Sequence, residues 1–432
     1  MSGPALERRR AFTILRAEGW RAACERALDR AADGRRASGY LEVSPTTLRS
    51  RARGAVAVLN VLGVPLRRNR GGVGLQFLAR QAVEQTLRAT ALLAPRGDRW
   101  VLELSLLEGR RVRAAFEPEP AEPPGETFAR ALRAALALVT PEGVHVENPA
   151  GLPIAALVET PAPLLLSIQD FSLWCPRPFA LPVTADGQCG WSPDGGCARC
   201  AGAEQTPDAV RALLSRLRGL VVPHGYIAGE VERRTGGPIS AEVHVVPPAV
   251  RLPPAQPWRN AGAVTRIACV GSLNESKGSE TLLALAPLLR DAGFAVRAYG
   301  GGESSVVERV RAAGVETLGY YRAGTLPRRL LRDRVDLALL LSKWPESHSL
   351  TLDECWAAGI PAIAFDRGAL GARLRSGGGV AVAPDAGVAG LAEAIAAVAR
   401  AGTTPPPREP PSTPEAAATR MDAIYRGLGW RR

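Results

Sequence analysis

Apolar residues fall along this chain in two kinds of spacing. Over 11–33 they recur with a helical period. Trp20, Ala23, Cys24, Ala27 and Leu28 stand at i, i+3, i+4, i+7 and i+8, with Arg21, Arg26 and Arg30 off that stripe. Such a helix either packs on the body of the protein through its stripe or lies on a membrane surface. From Ala55 the pattern becomes a near-continuous apolar run ending at Leu62 and Gly63, as in a strand buried on both faces of a parallel sheet. A loop with Arg67, Arg68, Arg70 and Gly71-Gly72-Val73-Gly74 follows, and helical spacing resumes at Leu75, Leu78, Ala79, Ala82 and Val83. Further strands are predicted at 99–105, 164–168, 219–222 and 243–246, with a helix over 127–138. Strand and helix alternate, which predicts a doubly wound α/β sheet.

A Pro-rich stretch at 248–263 interrupts this alternation and reads as a linker. Past it a second alternation begins, with strands predicted near 265–270, 294–298, 335–341, 361–365 and 380–383. The predicted helices 279–291 and 304–313 are each followed by a glycine, Gly293 and Gly314, where a C-cap wants one. A second Pro-rich stretch, Thr403 to Pro414, precedes a last helix over 415–427. The expected organisation is a basic helical extension (1–54), a first Rossmann-like domain (55–247), the linker (248–263), a second Rossmann-like domain (264–402), and a Pro-rich segment with a tail helix (403–432).

Composition narrows the function classes. Of 432 residues, 46% are apolar and 22% charged, ordinary for a globular protein, and no apolar run approaches the ~18 residues that span a bilayer. No secretion signal is read at the start, so the expected location is cytoplasmic, with membrane association left open. Lys plus Arg is 54 against 42 acids, a net +12, but only Lys277 and Lys343 are lysines. So strong a preference for arginine, beside abundant Ala, Gly and Pro, reflects a GC-rich coding sequence rather than a nucleic-acid partner. No basic motif interleaved with aromatics is present. The charge is uneven: residues 1–54 hold 12 Arg and 6 acids. That segment is either a solvated basic face or a peripheral contact with an anionic membrane.

The densest chemistry lies in Trp344-Pro-Glu-Ser-His-Ser-Leu-Thr-Leu-Asp-Glu354-Cys-Trp-Ala-Ala-Gly-Ile-Pro361. Ser347 or Ser349 can N-cap a helix that carries Glu354 in its early turns and ends at Gly359, with Glu346 in the loop before it. Two carboxylates can then reach opposite ends of one ligand, with helix N–H groups between them. A helix N-terminus attracts anions, so the ligand that fits has phosphate in its middle and hydroxyls at each end, the shape of a nucleotide sugar.

These residues resemble the retaining glycosyltransferases of glycosyltransferase family 4. That family's signature is a Pro-Glu, seven residues, a second Glu, and an Ala/Gly-rich segment ending Gly-x-Pro. The resemblance extends to Ile267-Ala-Cys-Val-Gly-Ser-Leu-Asn-Glu-Ser-Lys277-Gly278, to Tyr299-Gly-Gly-Gly302, to Asp336 through Ser342 and to Gly71-Gly72-Val73. It implies the GT-B fold, two facing Rossmann-like domains with a cleft between them, a first domain that binds the acceptor and a tail helix that crosses back to it. It implies transfer of a sugar from a nucleoside diphosphate donor to an acceptor the sequence does not identify, in glycan, glycolipid or natural-product glycosylation. By that resemblance Glu354 binds the donor ribose, Glu346 sits by the transferred sugar and Lys277 binds the diphosphate. Gly271, Ser272, Gly278, His348, Ser349, Leu350, Gly72 and Val73 complete the donor site, and Gln169 and Asp170 join Glu346 at the reacting sugar. No metal is needed for catalysis, because Lys277 and helix N-termini meet the phosphate charge.

Two positions depart from the family's pattern. Ser272 stands where many members have Arg, and Gln169-Asp170-Phe171 where they often have His-Asp-Tyr. Gln can hydrogen-bond a hydroxyl but cannot act as a cation. The alternative expectation is therefore a catalytically weakened relative that serves as a binding or scaffolding subunit. Cys175, Cys189, Cys197 and Cys200 form a cluster over 175–200 that either holds a structural zinc, remains as thiols or forms disulfides. Cys24, Cys269 and Cys355 read as small core residues. His145, His224, His244 and His348 make no metal set, and His348 lies inside the glutamate motif. Tyr320 and Tyr321 either line a base pocket or pack in the core.

Overall fold

A computed structural model of the chain describes residues 20–32, 39–52, 55–66, 72–107, 109–175, 191–192, 196–197, 206–258, 264–402 and 404–430. The described residues form two compact units. One takes those between 32 and 249 together with 412–430; the other takes 20–31 and those of 250–411.

In the first unit a nine-stranded sheet runs in the spatial order Leu41–Glu42, Arg111–Phe116, Arg99–Ser105, Thr90–Arg96, Val58–Leu62, Gly143–Asn148, Leu164–Ser167, Leu217–Val222, Glu242–Val245. The predicted apolar run at 55–62 is its central strand, buried at every position from Val58 to Leu62. Most neighbours pair parallel, but Thr90–Arg96, Arg99–Ser105 and Arg111–Phe116 form an antiparallel meander. That meander is absent from the expected βα alternation. The tight turn at Gly97, with φ +71, lets the chain reverse there instead of crossing over through a helix. The tail helix Pro414–Gly427 belongs to this unit. Thr413 caps it by accepting from the Ala416 amide at 3.1 Å, and it buries Ala417, Met421 and Tyr425 against Leu165 and Val221. Trp430 then lies over Gly143, where a Cβ would stand 2.1 Å from the indole.

In the second unit six parallel strands run in the order Glu316–Thr317, Ala295–Tyr299, Arg266–Val270, Leu337–Leu340, Ala362–Phe365, Gly379–Val382. Helices cover both faces. Leu282, Leu285, Val310, Leu391 and Ile395 pack on one, and Leu330, Leu352, Trp356 and Leu370 on the other. The strand order reverses between Arg266–Val270 and Leu337–Leu340. In doubly wound sheets ligands bind at that switch point, beyond the carboxyl ends of the strands.

The segment 1–54, read as one extension, is divided. Residues 20–31 belong to the second unit, whereas Leu41–Glu42 pairs with Arg111–Phe116 in the first. Cys24 is exposed, a departure from the core role expected of it, while Cys269 and Cys355 are buried.

Candidate functional site

The loops that leave the two strands at the switch point of the second unit carry the predicted residues Gly271, Ser272, Lys277, Gly278, Glu346, His348 and Ser349. After Arg266–Val270 the chain turns at Gly271, whose φ of +131 suits glycine and whose Cβ position faces open space. Ser272 and Leu273 follow, and the Leu273 amide donates to Gly301 O at 2.9 Å. Asn274 Oδ1 then accepts from the Lys277 amide at 2.9 Å, a side-chain turn that brings Lys277 to the head of helix Ser279–Asp291. Gly278 has φ +80, and a Cβ there would stand 2.1 Å from Leu341 O, so the loop after Leu337–Leu340 lies directly against it.

That second loop brings Glu346 to Lys277. The ammonium stands 2.5 Å from Glu346 Oε1 and 5.0 Å from the centre of the Trp344 ring. Ser342 Oγ donates to the same carboxylate oxygen. Burial alone would raise the Glu346 carboxyl, but Lys277, with Ser342 and Trp344, holds it below the ordinary carboxylate range. The Glu346 carbonyl accepts from the Ala369 amide at 2.8 Å, and a Cβ on Gly368 (φ +59) would stand 2.7 Å from the Glu346 backbone.

Helix Leu350–Ala357 starts at Ser349, but its entry differs from the expected side-chain cap. Ser349 has φ +80 and makes no cap hydrogen bond; its hydroxyl pairs with Thr351 at 3.0 Å. Ser349 therefore does not supply the side-chain acceptor expected of it for the N–H groups that open the helix at Leu350. A buried network not foreseen from the sequence fixes this entry. His348 Nε2 pairs with Asp353 at 2.9 Å, Arg373 with Asp353 at 2.5 Å, and Arg373 also donates to His348 O (3.0 Å) and Ser349 O (3.3 Å). Burial depresses the His348 pKa, keeping the imidazole neutral; burial would raise Asp353, but His348 and Arg373 together lower it. The only sequence signal for the network was a His and an Asp five residues apart.

Glu354 lies on helix Leu350–Ala357, as expected. It is 3% exposed and accepts from the Gly324 amide at 2.6 Å, with the Leu326 amide as a further donor. Burial raises its pKa to about 8 despite those donors. Tyr321 packs against the core and Tyr320 donates to Asp29 at 2.5 Å. Lys343 adjoins the site through its backbone, its amide donating to Ser276 O at 2.9 Å.

In the first unit, helix Gly72–Leu87 begins at Gly72 and Val73, after the central strand. Gln76 donates to Gln169 Oε1 at 3.1 Å. Asp170 works as a turn former, accepting from the Ser172 amide at 2.9 Å and from Asn148 at 3.3 Å. Val73, Gln76 and Gln169 line a pocket with Phe77, Arg80 and Glu147. Arg80 pairs with Glu147, and Arg80 and His145 outweigh burial to hold that carboxyl at about 2. His145 is fully buried between Tyr425 Oη (2.6 Å) and Ser167 Oγ (2.7 Å). His224 caps helix Gly225–Thr235 by accepting from the Tyr226 amide at 3.0 Å.

Cys175 is buried; Cys189, Cys200 and the side chain of Cys197 lie outside the described residues, and so does the question of a zinc among them. Among the described residues no group of three or more His, Cys, Asp or Glu is placed to hold a metal ion, and no helix is long and apolar enough to cross a membrane.

Residues 264–400, which contain the whole switch-point site, match the model of the family described as glycosyl transferases group 1. No curated protein matches the chain in sequence. Among solved structures it is similar to sucrose-phosphate synthase from Thermosynechococcus elongatus, at 16% identity over 86% of this chain and 99% of that one, with a TM-score of 0.57. It is similar to Anabaena HepE in complex with UDP and glucose, at 14% identity over 87% and 99%, TM-score 0.55. The pneumococcal O-GlcNAc transferase GtfA, in complex with UDP and GlcNAc, aligns at 11% identity over 86% and 96%, TM-score 0.51. The fold is thus that of GT-B glycosyltransferases, with two Rossmann-like units.

Proposed function

We propose that the chain is a retaining glycosyltransferase of the family 4 kind that moves a sugar from a nucleoside diphosphate sugar to an acceptor without a catalytic metal. The observation that carries this reading is the Lys277–Glu346 pair in the loop that leads into helix Leu350–Ala357, at the switch point of a sheet whose sequence matches group 1 glycosyltransferases. Lys277 and the N–H groups opening that helix meet the charge that develops on the departing diphosphate. Glu346 stands where it can accept from hydroxyls of the transferred sugar, with Lys277 setting its ionised state. Glu354, protonated near neutral pH, offers both a donor and an acceptor to the ribose hydroxyls. The UDP held by HepE and by pneumococcal GtfA makes uridine the first base to test.

The binding-subunit alternative draws on Gln169, which can hydrogen-bond a hydroxyl but cannot act as a cation, and whose Oε1 accepts from Gln76. Incubating the chain with UDP-glucose and UDP-GlcNAc, and following UDP release with and without candidate acceptors, separates the two. Slow release that an acceptor accelerates supports transfer; UDP binding with no release supports the binding subunit.

A further inference from the structure

The helix over 20–32 is turned inside out relative to its sequence stripe. Its protein-facing side is polar. Asp29 is buried and accepts from Tyr320 Oη (2.5 Å) and Arg322 Nε (3.1 Å); Glu25 accepts from the Arg322 amide (2.7 Å) and pairs with the Arg329 guanidinium. Its outward side is apolar. Trp20 is 68% exposed and Leu28 51%, with Cys24, Ala27 and Ala31 exposed between them. At 3.6 residues per turn, these five cover roughly 100° of the helix circumference. Arg21 and Arg30, both exposed, flank the stripe on its two sides, and the acids lie opposite.

We propose that this face rests on an anionic lipid surface, with Trp20 and Leu28 in the boundary between headgroups and acyl chains and Arg21 and Arg30 reaching out to lipid phosphates. The division of charge argues for that occupant. Glu25 and Asp29 are consumed by the protein, so what the helix shows to the outside is apolar and purely cationic, the pattern of an interfacial helix. A second copy would set the same two arginines against each other. The surrounding segment 1–54 carries 12 Arg against 6 acids, which adds long-range attraction to anionic lipid. The proposal is independent of the donor chemistry, since none of these outward residues belongs to the switch-point site.

The test is co-sedimentation of the full chain with vesicles of phosphatidylcholine alone and of equal parts phosphatidylcholine and phosphatidylglycerol. Binding to the anionic vesicles, weakened by salt, and little binding to the neutral ones is expected. The double variant W20A/L28A should lower partitioning about tenfold or more, because two large apolar side chains no longer enter the boundary. R21Q/R30Q should lower it on the order of tenfold and blunt the salt response. Both variants should melt at the wild-type temperature, since none of the four side chains is buried. Equal binding to neutral vesicles, no binding to either, or W20A/L28A binding as wild type does would overturn the proposal. So would a concentration-dependent dimer lost in W20A/L28A, which would make the face an interface between copies.

Discussion

Lys277 Nζ and Glu346 Oε1 meet at 2.5 Å, and that contact joins the loops leaving the two strands at which the second sheet reverses its order. Each group explains the other. The carboxylate stays ionised in a buried position because of the ammonium, and the ammonium is aimed because the Trp344 ring and the carboxylate hold it.

Lys277→Ala should therefore weaken binding of UDP more than of uridine. A hydrogen bond to a charged group contributes about 1.5–3 kcal/mol, which is roughly a ten- to hundredfold loss. Calorimetry with both ligands checks it; equal weakening would assign Lys277 to structure rather than phosphate.

The His348–Asp353–Arg373 network predicts a stability effect of characteristic shape. Arg373→Ala leaves Asp353 buried beside a neutral imidazole and should cost about 3–5 kcal/mol in denaturant melts. Replacing His348, Asp353 and Arg373 together by Phe, Leu and Met should recover most of that, because no charge is then left unpaired. A triple variant as unstable as the single one would contradict the account.

Gly368→Ala should disturb the Glu346 loop. The new Cβ would meet the Glu346 backbone at 2.7 Å and require a left-handed residue at φ +59. Overpacking costs about 1–3 kcal/mol and the backbone about 1–2 more. A lower melting temperature together with a fall in turnover is expected; a loss of stability with turnover intact would show that Glu346 tolerates displacement.

Glu354 gives a pH signature. Its folded pKa of about 8 lies above its unfolded value, so the folded state holds an extra proton between pH 4.5 and 8. The stability it contributes is fully present below pH 4.5 and is lost as pH rises towards 8. Glu354→Gln cannot titrate, so the variant's stability should fall less over that interval, by an amount on the order of a few kcal/mol. Parallel curves for the two proteins would reject the buried protonated carboxyl.

Much of the second unit was legible because strands such as Leu337–Leu340 and Ala362–Phe365 are unbroken apolar runs and the helices Ser279–Asp291 and Ser304–Ala312 are soon followed by a glycine. Gly293 and Gly314 both have positive φ, at +83 and +86. Of the motif residues, Lys277 meets Glu346 at the switch point and Gly278 lies against the Leu341 backbone. What stayed hidden depended on partners distant in sequence. Arg373 reaches Asp353 from 20 residues away, and nothing in its neighbourhood marks it. The strands Thr90–Arg96 and Arg111–Phe116 contain Pro95 and several Ala and Arg, so neither shows the dense β-branched composition that signals a strand. The helix at 20–32 shows the limit of periodicity. The stripe was visible, but which side meets the protein was decided by Arg322 and Arg329, some 300 residues on.

The most direct test of the central reading is turnover of UDP-sugars by Glu346→Gln, measured beside UDP affinity. The substitution keeps the shape of the side chain and removes its charge. If Glu346 acts on the transferred sugar, turnover should fall by about tenfold or more, since charge stabilisation develops mainly in the transition state, while UDP affinity changes little. Turnover at the wild-type rate would contradict the role of Glu346, leaving its pairing with Lys277 as a device of loop packing.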